Sequence, residues 1–471
     1  MVLDPIKALV TRSGTRRSRT YSQSLRGWLS AIFVVATLVS LFAPAWVSAE
    51  PQDPPAFTTH ELPTDDRPAP RAPVMSLVDM SVLFFALSLG AYLILKKRTR
   101  RGIFWLSLFS LGYFGFFRKG CVCPIGSIQN VTEGLFNSAY VVPIVVVFFF
   151  VLPLVFAALF GRTYCAAVCP HGALQDAVLM KPIEVPKWLD HGLGLIPFIY
   201  LGLGVLFSAT GTAYVICDYD PFIALFRRTG STNMLALGAM FMIAGVFVGR
   251  PYCRYMCPYG VLLRLFSHVS KWQVKIYPDR CIDCQLCDDS CPFGAIDKTT
   301  PRIMPETARD GKRRLTAALV AAPILIAVCA WGGSKLGMPF SGFNETVRVA
   351  YQVEAEELAL AKGATLDQIT RTEYSESWRN LAEETPDQLF ARAGVVQSRM
   401  SIGATLFGVW VALVISVKWI SLCLRRKRPD YEANRGNCYS CGRCYDYCPG
   451  SEGAPDPFVT AVGVRGTGAN G

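Results

Sequence analysis

The sequence predicts an α-helical polytopic membrane protein with seven to eight transmembrane helices, and three observations predict it. Hydrophobic residues make up 52% of the chain and charged residues only 17%, against roughly a quarter charged in ordinary soluble domains. The excess sits in near-continuous apolar runs of about 20 residues, the length a bilayer demands. The basic residues behind the net charge of +12 cluster beside those runs: Lys96, Lys97, Arg98, Arg100 and Arg101; Lys312, Arg313 and Arg314; Arg425, Arg426, Lys427 and Arg428. Flanking clusters orient helices in lipid. The positive charge is therefore read as a membrane signature, with no nucleic-acid partner expected.

The elements follow in order. A basic N-terminus precedes the apolar run Trp28–Val47, which ends in Val47-Ser48-Ala49. That ending suits signal cleavage after Ala49, and the run is also long enough for an uncleaved anchor; both readings of residues 1–49 stay open. Residues 50–74 hold seven prolines and read as a flexible periplasmic linker. Later spans are Met75–Leu95, the short Gly102–Phe117, Tyr140–Phe160, Leu193–Tyr214, Asn233–Val248, Leu315–Trp331 and Ile402–Leu424. They must be helical, because lipid offers no partners to backbone polar groups.

Counting crossings from an inside N-terminus returns the chain to the cytoplasm at Lys96, Gly161, Gly249 and Arg425, the same side as the three basic clusters. Beyond residue 74 the organisation is then a transmembrane region over 75–260, a cytoplasmic segment over 261–314 and a span over 315–331. A periplasmic helical segment over 332–401, a span over 402–424 and a cytoplasmic segment with the tail over 425–471 complete it.

Seventeen cysteines are present, and twelve of them fall into four tight motifs on that cytoplasmic side. A disulfide scaffold belongs to small secreted domains, so metal clusters are the better reading. Cys281-x2-Cys284-x2-Cys287-x3-Cys291-Pro292 is a complete bacterial ferredoxin run, and Cys438-x2-Cys441-x2-Cys444-x3-Cys448-Pro449 is a second. Three thiolates on one tight turn hold three corners of a cube-shaped cluster, and the fourth cysteine reaches the neighbouring cluster. This assigns one [4Fe–4S] cluster to Cys281, Cys284, Cys287 and Cys448, and a second to Cys438, Cys441, Cys444 and Cys291. The two runs must then fold into one ferredoxin-like module despite the membrane excursion between them. Four thiolates also bind zinc, but two runs of this spacing favour iron.

A further motif occurs twice. Gly161-Arg162-Thr163-Tyr164-Cys165-x3-Cys169-Pro170-His171-Gly172 recurs 88 residues later as Gly249-Arg250-Pro251-Tyr252-Cys253-x3-Cys257-Pro258-Tyr259-Gly260. Cysteines four apart share a helix face. Two such pairs can converge into an extra thiolate site of Cys165, Cys169, Cys253 and Cys257, between the ferredoxin module and the membrane helices. The alternative is that these cysteines only pack.

Crossing parity puts Cys121, Cys123 and Cys217 near the outer face, where they would hold copper, a disulfide or a small redox site; a re-entrant short span would instead carry Cys121 and Cys123 into the membrane. Cys329 and Cys423 read as small core residues. His171 reads as an interfacial side chain. No span carries a central histidine pair and no Cys-x2-Cys-His occurs, so no haem is expected. Neither Gly363-Ala364-Thr365 nor Ser401-Ile402-Gly403-Ala404-Thr405 has the upstream aspartate of a flavinylation motif, so covalent FMN is not expected.

With these motifs in place, the chain resembles the NosR and NapH type of membrane polyferredoxins over roughly Met75 to Gly450. The residues that carry the resemblance are Gly120-Cys121-Val122-Cys123-Pro124-Ile125-Gly126, the two Cys-x3-Cys-Pro repeats and the two ferredoxin runs. The resemblance implies an electron carrier in the bacterial inner membrane, working with redox partner proteins to support periplasmic nitrous oxide or nitrate reduction. For the NosR branch it also implies help in maturing a copper enzyme. Where that branch carries a periplasmic flavin domain, only the linker at 50–74 stands, so a separate flavin or periplasmic subunit is the expected partner. Two other readings stay open: a copper-handling assembly factor and a redox-sensing regulator.

Overall fold

The computed structural model of the chain describes residues 73–120, 123–180, 182–227, 231–276, 284–300, 308–363, 385–424, 428 and 430–447. The run Trp28–Val47, nearly all of the linker, and Cys121, Cys281 and Cys448 lie outside the described residues.

Helix α1 (Pro73–Tyr92) continues through a widened turn, Leu93–Lys97, and α2 (Arg100–Ser110) does the same through Leu111–Phe117. Next come α3 (Pro124–Phe136), α4 (Ile144–Phe160), α5 (Pro170–Val178), α6 (Lys187–Leu193) and α7 (Ile196–Ala209). They are followed by α8 (Val215–Asp218), α9 (Pro221–Arg227), α10 (Thr232–Phe247), α11 (Pro251–Tyr255) and α12 (Pro258–His268). The remainder is α13 (Leu286–Asp289), β1 (Ile296–Asp297), α14 (Ala308–Ser341), α15 (Glu345–Ala361), α16 (Pro386–Cys423), β2 (Glu432–Ala433) and α17 (Arg443–Tyr447).

Among the described residues, four helices are long and apolar enough to cross a membrane: Val74–Lys97, Lys187–Ala209, Arg309–Ser341 and Pro386–Cys423. Counting the bent pair α9–α10 as one span makes five. The expected spans at 102–117 and 140–160 are helical but short. Pro143 holds the chain extended with ψ 136°, so α4 begins only at Ile144 and has 17 residues. The outer faces carry exposed Phe85, Trp105, Ile144, Leu406 and Val417, a surface that suits lipid.

The two longest helices form one seam. At ~1.5 Å per residue, the 34 residues of α14 and 38 of α16 exceed the ~30 Å hydrocarbon layer. A side chain at Gly337 would come within 2.6 Å of the Ser401 backbone, and side chains at Gly333 and Gly408 would collide with Ala404 O and Cys329 O. Backbones this close need small residues, as in membrane GxxxG pairs. Beyond the seam, Val347, Val349, Ala350 and Val353 of α15 pack on Leu389 and Ala393 of α16. Asn344 caps α15 through Thr346 N–H at 3.0 Å, and a Thr385–Gln388 capping box starts α16.

Two ion contacts place the ends of α1 and α2. Asp79, buried in α1, accepts from Tyr113 Oη at 2.9 Å and pairs with Arg118, which anchors the loop that leads to Cys123. At the other end, Arg100 Nη1 donates to Cys441 O at 3.1 Å and the Arg98 guanidinium lies 5.0 Å from the Tyr445 ring centroid. The first basic cluster and the second cysteine run therefore share one face. Asp79→Ala strands Arg118 without its carboxylate, and we expect a loss of about 3 kcal/mol. Thermal unfolding in detergent checks this, with Asp79→Ala/Arg118→Met recovering part of the loss.

Candidate metal centre

The two ferredoxin-type runs meet in a small sheet. Ile296 pairs with Ala433 and Asp297 with Glu432, antiparallel. Asn434 N–H donates to Ala295 O at 2.8 Å, Thr300 N–H to Arg428 O at 3.0 Å, and Arg428 pairs with Asp297 at 2.7 Å. Each run turns the same way. Gln285, after Cys284, and Gly442, after Cys441, are both left-handed, with φ 61° and 74°. The short helices that follow, α13 and α17, carry Cys287 and Cys444. Glycine takes that backbone freely, whereas glutamine adopts it against a steric cost.

Within this module the charges of Cys291 and Cys441 both act on Cys438 and Cys444. Cys287, Cys291, Cys438 and Cys444 share a packed layer with Ile276, Ile296, Tyr431 and Ala433. Backbone N–H groups already address the sulfurs: Ala295 N–H to Cys291 Sγ and Ser440 N–H to Cys438 Sγ, both 3.4 Å. Burial, with Cys441 and Cys291 nearby, pushes the Cys438 thiol up to about 12. Metal loading therefore has to displace protons from these thiols.

The repeated motif builds a second group of thiols. Both copies end alike: Cys169 (φ −70°, ψ 116°) and Cys257 (φ −63°, ψ 113°) are extended, and each is followed by a proline at the first position of α5 or α12. Proline disfavours helical backbone in the residue before it and suits a helix start, which seats each sulfur at a helix N-terminus. The copies interlock. A Cβ at Gly172 would meet the Arg250 guanidinium at 3.1 Å, and one at Gly260 would meet that of Arg162 at 3.4 Å. Each copy's arginine thus packs on the other copy's glycine.

Buried polar groups fix this arrangement. Arg250 forks onto Asp176, Nε to Oδ1 at 3.0 Å and Nη2 to Oδ2 at 2.7 Å, and also donates to Cys165 O. Although burial opposes it, Arg250 holds the Asp176 carboxyl below its ordinary value. Gln175 Nε2 donates to Cys253 Sγ at 3.3 Å, and Arg162 Nη2 points to Cys165 Sγ at 3.7 Å. Arg250→Gln leaves Asp176 without its fork, and we expect about 3 kcal/mol of destabilisation in denaturant melts of the detergent-solubilised protein.

The candidate residues fall as follows. Cys165, Cys169, Cys253 and Cys257 are all buried and share one hydrophobic core. Cys123, expected near the outer face by crossing parity or within the membrane by a re-entrant short span, packs against the core that holds Cys165, Cys169, Cys253 and Cys257. Cys217 sits against α3: its N–H donates to Gln129 Oε1 at 3.0 Å, and a Cβ at Gly126 would meet its sulfur at 2.9 Å. Burial and the nearby Asp220 and Asp218 raise the Cys217 thiol to about 11. Cys329 lies in α14 and Cys423 ends α16.

Sequence reasoning left out Asp220, the partner of His171. His171, expected as an interfacial side chain, is 1% exposed, pairs with Asp220 at 3.3 Å and stacks on Tyr252. Asp220 also accepts from Phe222 N–H at 2.9 Å and Tyr252 Oη at 3.3 Å. Aspartate followed by Pro221 was the available signal.

Among the described residues, no three His, Cys, Asp or Glu side chains are grouped to hold a single metal ion. A tetrahedral zinc needs its thiolates about 3.8 Å apart, from Zn–S bonds of ~2.3 Å. The corners of an iron–sulfur cube take thiolates that stand further apart, and buried cysteines with backbone donors aimed at sulfur suit that larger group.

Helical spans, paired cysteine runs and sulfur-directed donors suit an iron–sulfur protein with membrane helices. A 4Fe-4S binding domain family matches residues 142–188 and 231–276, and a second 4Fe-4S binding domain family matches residues 274–297. The chain is similar to YccM of Escherichia coli (strain K12), 25% identical over 191 residues, which cover 36% of this chain and 52% of that protein. It is 29% identical to Protein NirI of Paracoccus denitrificans (strain Pd 1222) over 152 residues, 29% of this chain and 22% of that one. It is 24% identical to Regulatory protein NosR of Pseudomonas aeruginosa over 220 residues, 43% of this chain and 30% of that one. The chain thus spans about half the length of YccM and less than a third of the other two. No solved structure matches. The chain thus carries segments matched by 4Fe–4S binding domain families and is similar to NirI and NosR over part of its length.

Proposed function

We propose that the chain passes electrons between a [4Fe–4S] pair in the ferredoxin module, on the cytoplasmic side of a bacterial inner membrane, and a periplasmic or membrane partner. One cluster takes Cys281, Cys284, Cys287 and Cys448, and the other takes Cys438, Cys441, Cys444 and Cys291. Bound clusters supply one-electron carriers whose potentials follow burial and hydrogen bonding to sulfur. One observation carries the reading: Tyr439, next to Cys438, donates its hydroxyl to Cys253 O at 3.2 Å. The ferredoxin module thus touches the repeated motif directly.

The surrounding residues pack closely at that junction. Phe293 and Tyr439 rings lie 4.7 Å apart, and a Cβ at Gly249 would meet Pro292 O at 2.9 Å. From Cys253 the thiols continue through Cys169 to Cys123. Arg162 and Arg250 favour negative charge on this string of sulfurs. Contact of Arg98 and Arg100 with the second run supports the cytoplasmic side, since basic clusters stay inside. Seven to eight spans follow if α2 and α4 also cross the membrane.

Support of respiratory nitrogen-oxide reduction is the physiological role we assign. It draws on the likeness to NosR and NirI and on the motif order; YccM, named provisionally for electron transport, is consistent with the general activity. The test is electron transfer across vesicles. Iron-loaded protein in liposomes with ferricyanide trapped inside should bleach it when dithionite is added outside, well above protein-free vesicles, and Cys441→Ala should abolish the excess. Equal bleaching with and without protein rules the proposal out.

A further inference from the structure

Three helices begin inside the bundle with the same four-residue start: Cys123-Pro124-Ile125-Gly126 on α3, Cys169-Pro170-His171-Gly172 on α5 and Cys257-Pro258-Tyr259-Gly260 on α12. Only the last two belong to the 88-residue repeat. The backbone makes all three alike. Cys123 is extended at φ −121°, ψ 121°, and Pro124 opens the helix, as happens at Cys169 and Cys257. Backbone N–H groups of the first turn address each sulfur: Ile125 and Gly126 for Cys123, Gly172 for Cys169, Gly260 for Cys257. The helices have 13, 9 and 11 residues, long enough to present a positive N-terminal end.

The three sulfurs also share one packed core: Cys165, Cys169 and Cys257 are buried in a single cluster, and Cys123 packs against it. Tyr164 and Tyr259, edge to face with ring centroids 6.1 Å apart, border the same thiols. A second feature points to a negatively charged occupant. The Arg162 side chain is buried, its Nη2 turns to Cys165 Sγ at 3.7 Å, and its Nε has no partner. Broken membrane helices use converging N-termini in this way to hold negative charge away from water.

We propose that Cys123 is a ligand of an iron–sulfur centre held inside the helix bundle, together with Cys169 and Cys257, with the remaining corner taken from the Cys165–Cys253 pair beside them. The inference rests on reading the repeated motif as an iron–sulfur site, and it adds a ligand that lies outside the segments matched by either 4Fe-4S domain family. A ligand from α3 ties the centre to the loop that Asp79 and Arg118 anchor, at the ends of α1 and α2 away from Arg98, Arg100 and the second cysteine run. The centre then stands between the two faces.

Iron counting with EPR tests it on the full chain. We expect about twelve irons per chain, four for each of three cubes. Cys123→Ser should lose about four of them, as should Cys169→Ser, and the double variant should lose no more than either single one. The coupled EPR signal of the ferredoxin pair should persist in all three. Cys123→His, which can still ligate iron, should keep the iron and move the g values and midpoint potential of this centre alone; this variant also serves if the serine variant does not fold. Retention of all iron and an unchanged spectrum in Cys123→Ser, with iron lost from Cys169→Ser, removes Cys123 from the ligand set and leaves the repeat as a cluster site. A wild-type count of about eight irons removes the centre altogether and leaves the ferredoxin pair untouched.

Discussion

Cys291→Ala is expected to empty the cluster site of the other cysteine run and spare its own. In the chain order Cys291 closes the first run, yet in space it packs in one layer with Cys438 and Cys444 of the second. The β1–β2 pairing, with Ile296 opposite Ala433, holds it there. The variant should lose about four irons, one cube's worth, and the coupled EPR signal of the pair should collapse to that of an isolated centre. Cys441→Ala should do the same. The informative variant is Cys291→Ala/Cys441→Ala, which should lose about four irons and not eight, because both changes strike one cube. Loss of eight places the two cysteines on different cubes and breaks the exchange of ligands between the runs.

The cysteine runs and the long spans could be read before any coordinates, because each is imposed by local chemistry. A cube accepts thiolates only at certain spacings, and a bilayer accepts only apolar helices of sufficient length. What escaped depends on depth. Crossing parity put Cys123 near the outer face and a re-entrant 102–117 span put it within the membrane, and the sequence alone left both readings open. In space α3 starts back inside the bundle, and its sulfur joins those of α5 and α12. The shared Cys-Pro-x-Gly start was the legible signal for this, since proline fixes the cysteine extended and opens the helix. The exchange of arginines across the repeat had no such signal. Nothing in the spacing pairs Arg162 with Gly260 or Arg250 with Gly172, and only the packed pair places each arginine on the other copy's glycine. His171 was misplaced for a related reason: its burial comes from Phe222, Phe226 and Tyr252, contributed by helices distant in sequence.

Gly408→Leu should cost the ferredoxin module both of its clusters, although the substitution lies in α16 and outside that module. The two cysteine runs are joined by α14, α15 and α16, so the seam of α14 against α16 sets how their ends return to the same face. At Gly408 there is no room for a side chain, since a Cβ would strike the Cys329 carbonyl. Small-to-large changes in packed interiors cost about 1–3 kcal/mol even where neighbours can yield, and here the obstacle is backbone. Separation of the helices pulls β1 from β2 and withdraws Cys291 from the second run. The measurement is iron per chain and the coupled EPR signal in membranes from cells producing the variant, with about eight irons at stake. Gly394→Leu is the control on the same helix: nothing lies within 4 Å of its Cβ direction, and replacing an exposed helical glycine usually helps a helix by up to about 1 kcal/mol. Full iron and an unaltered signal in Gly408→Leu would show that the β1–β2 contact assembles the module by itself, with no help from the membrane seam.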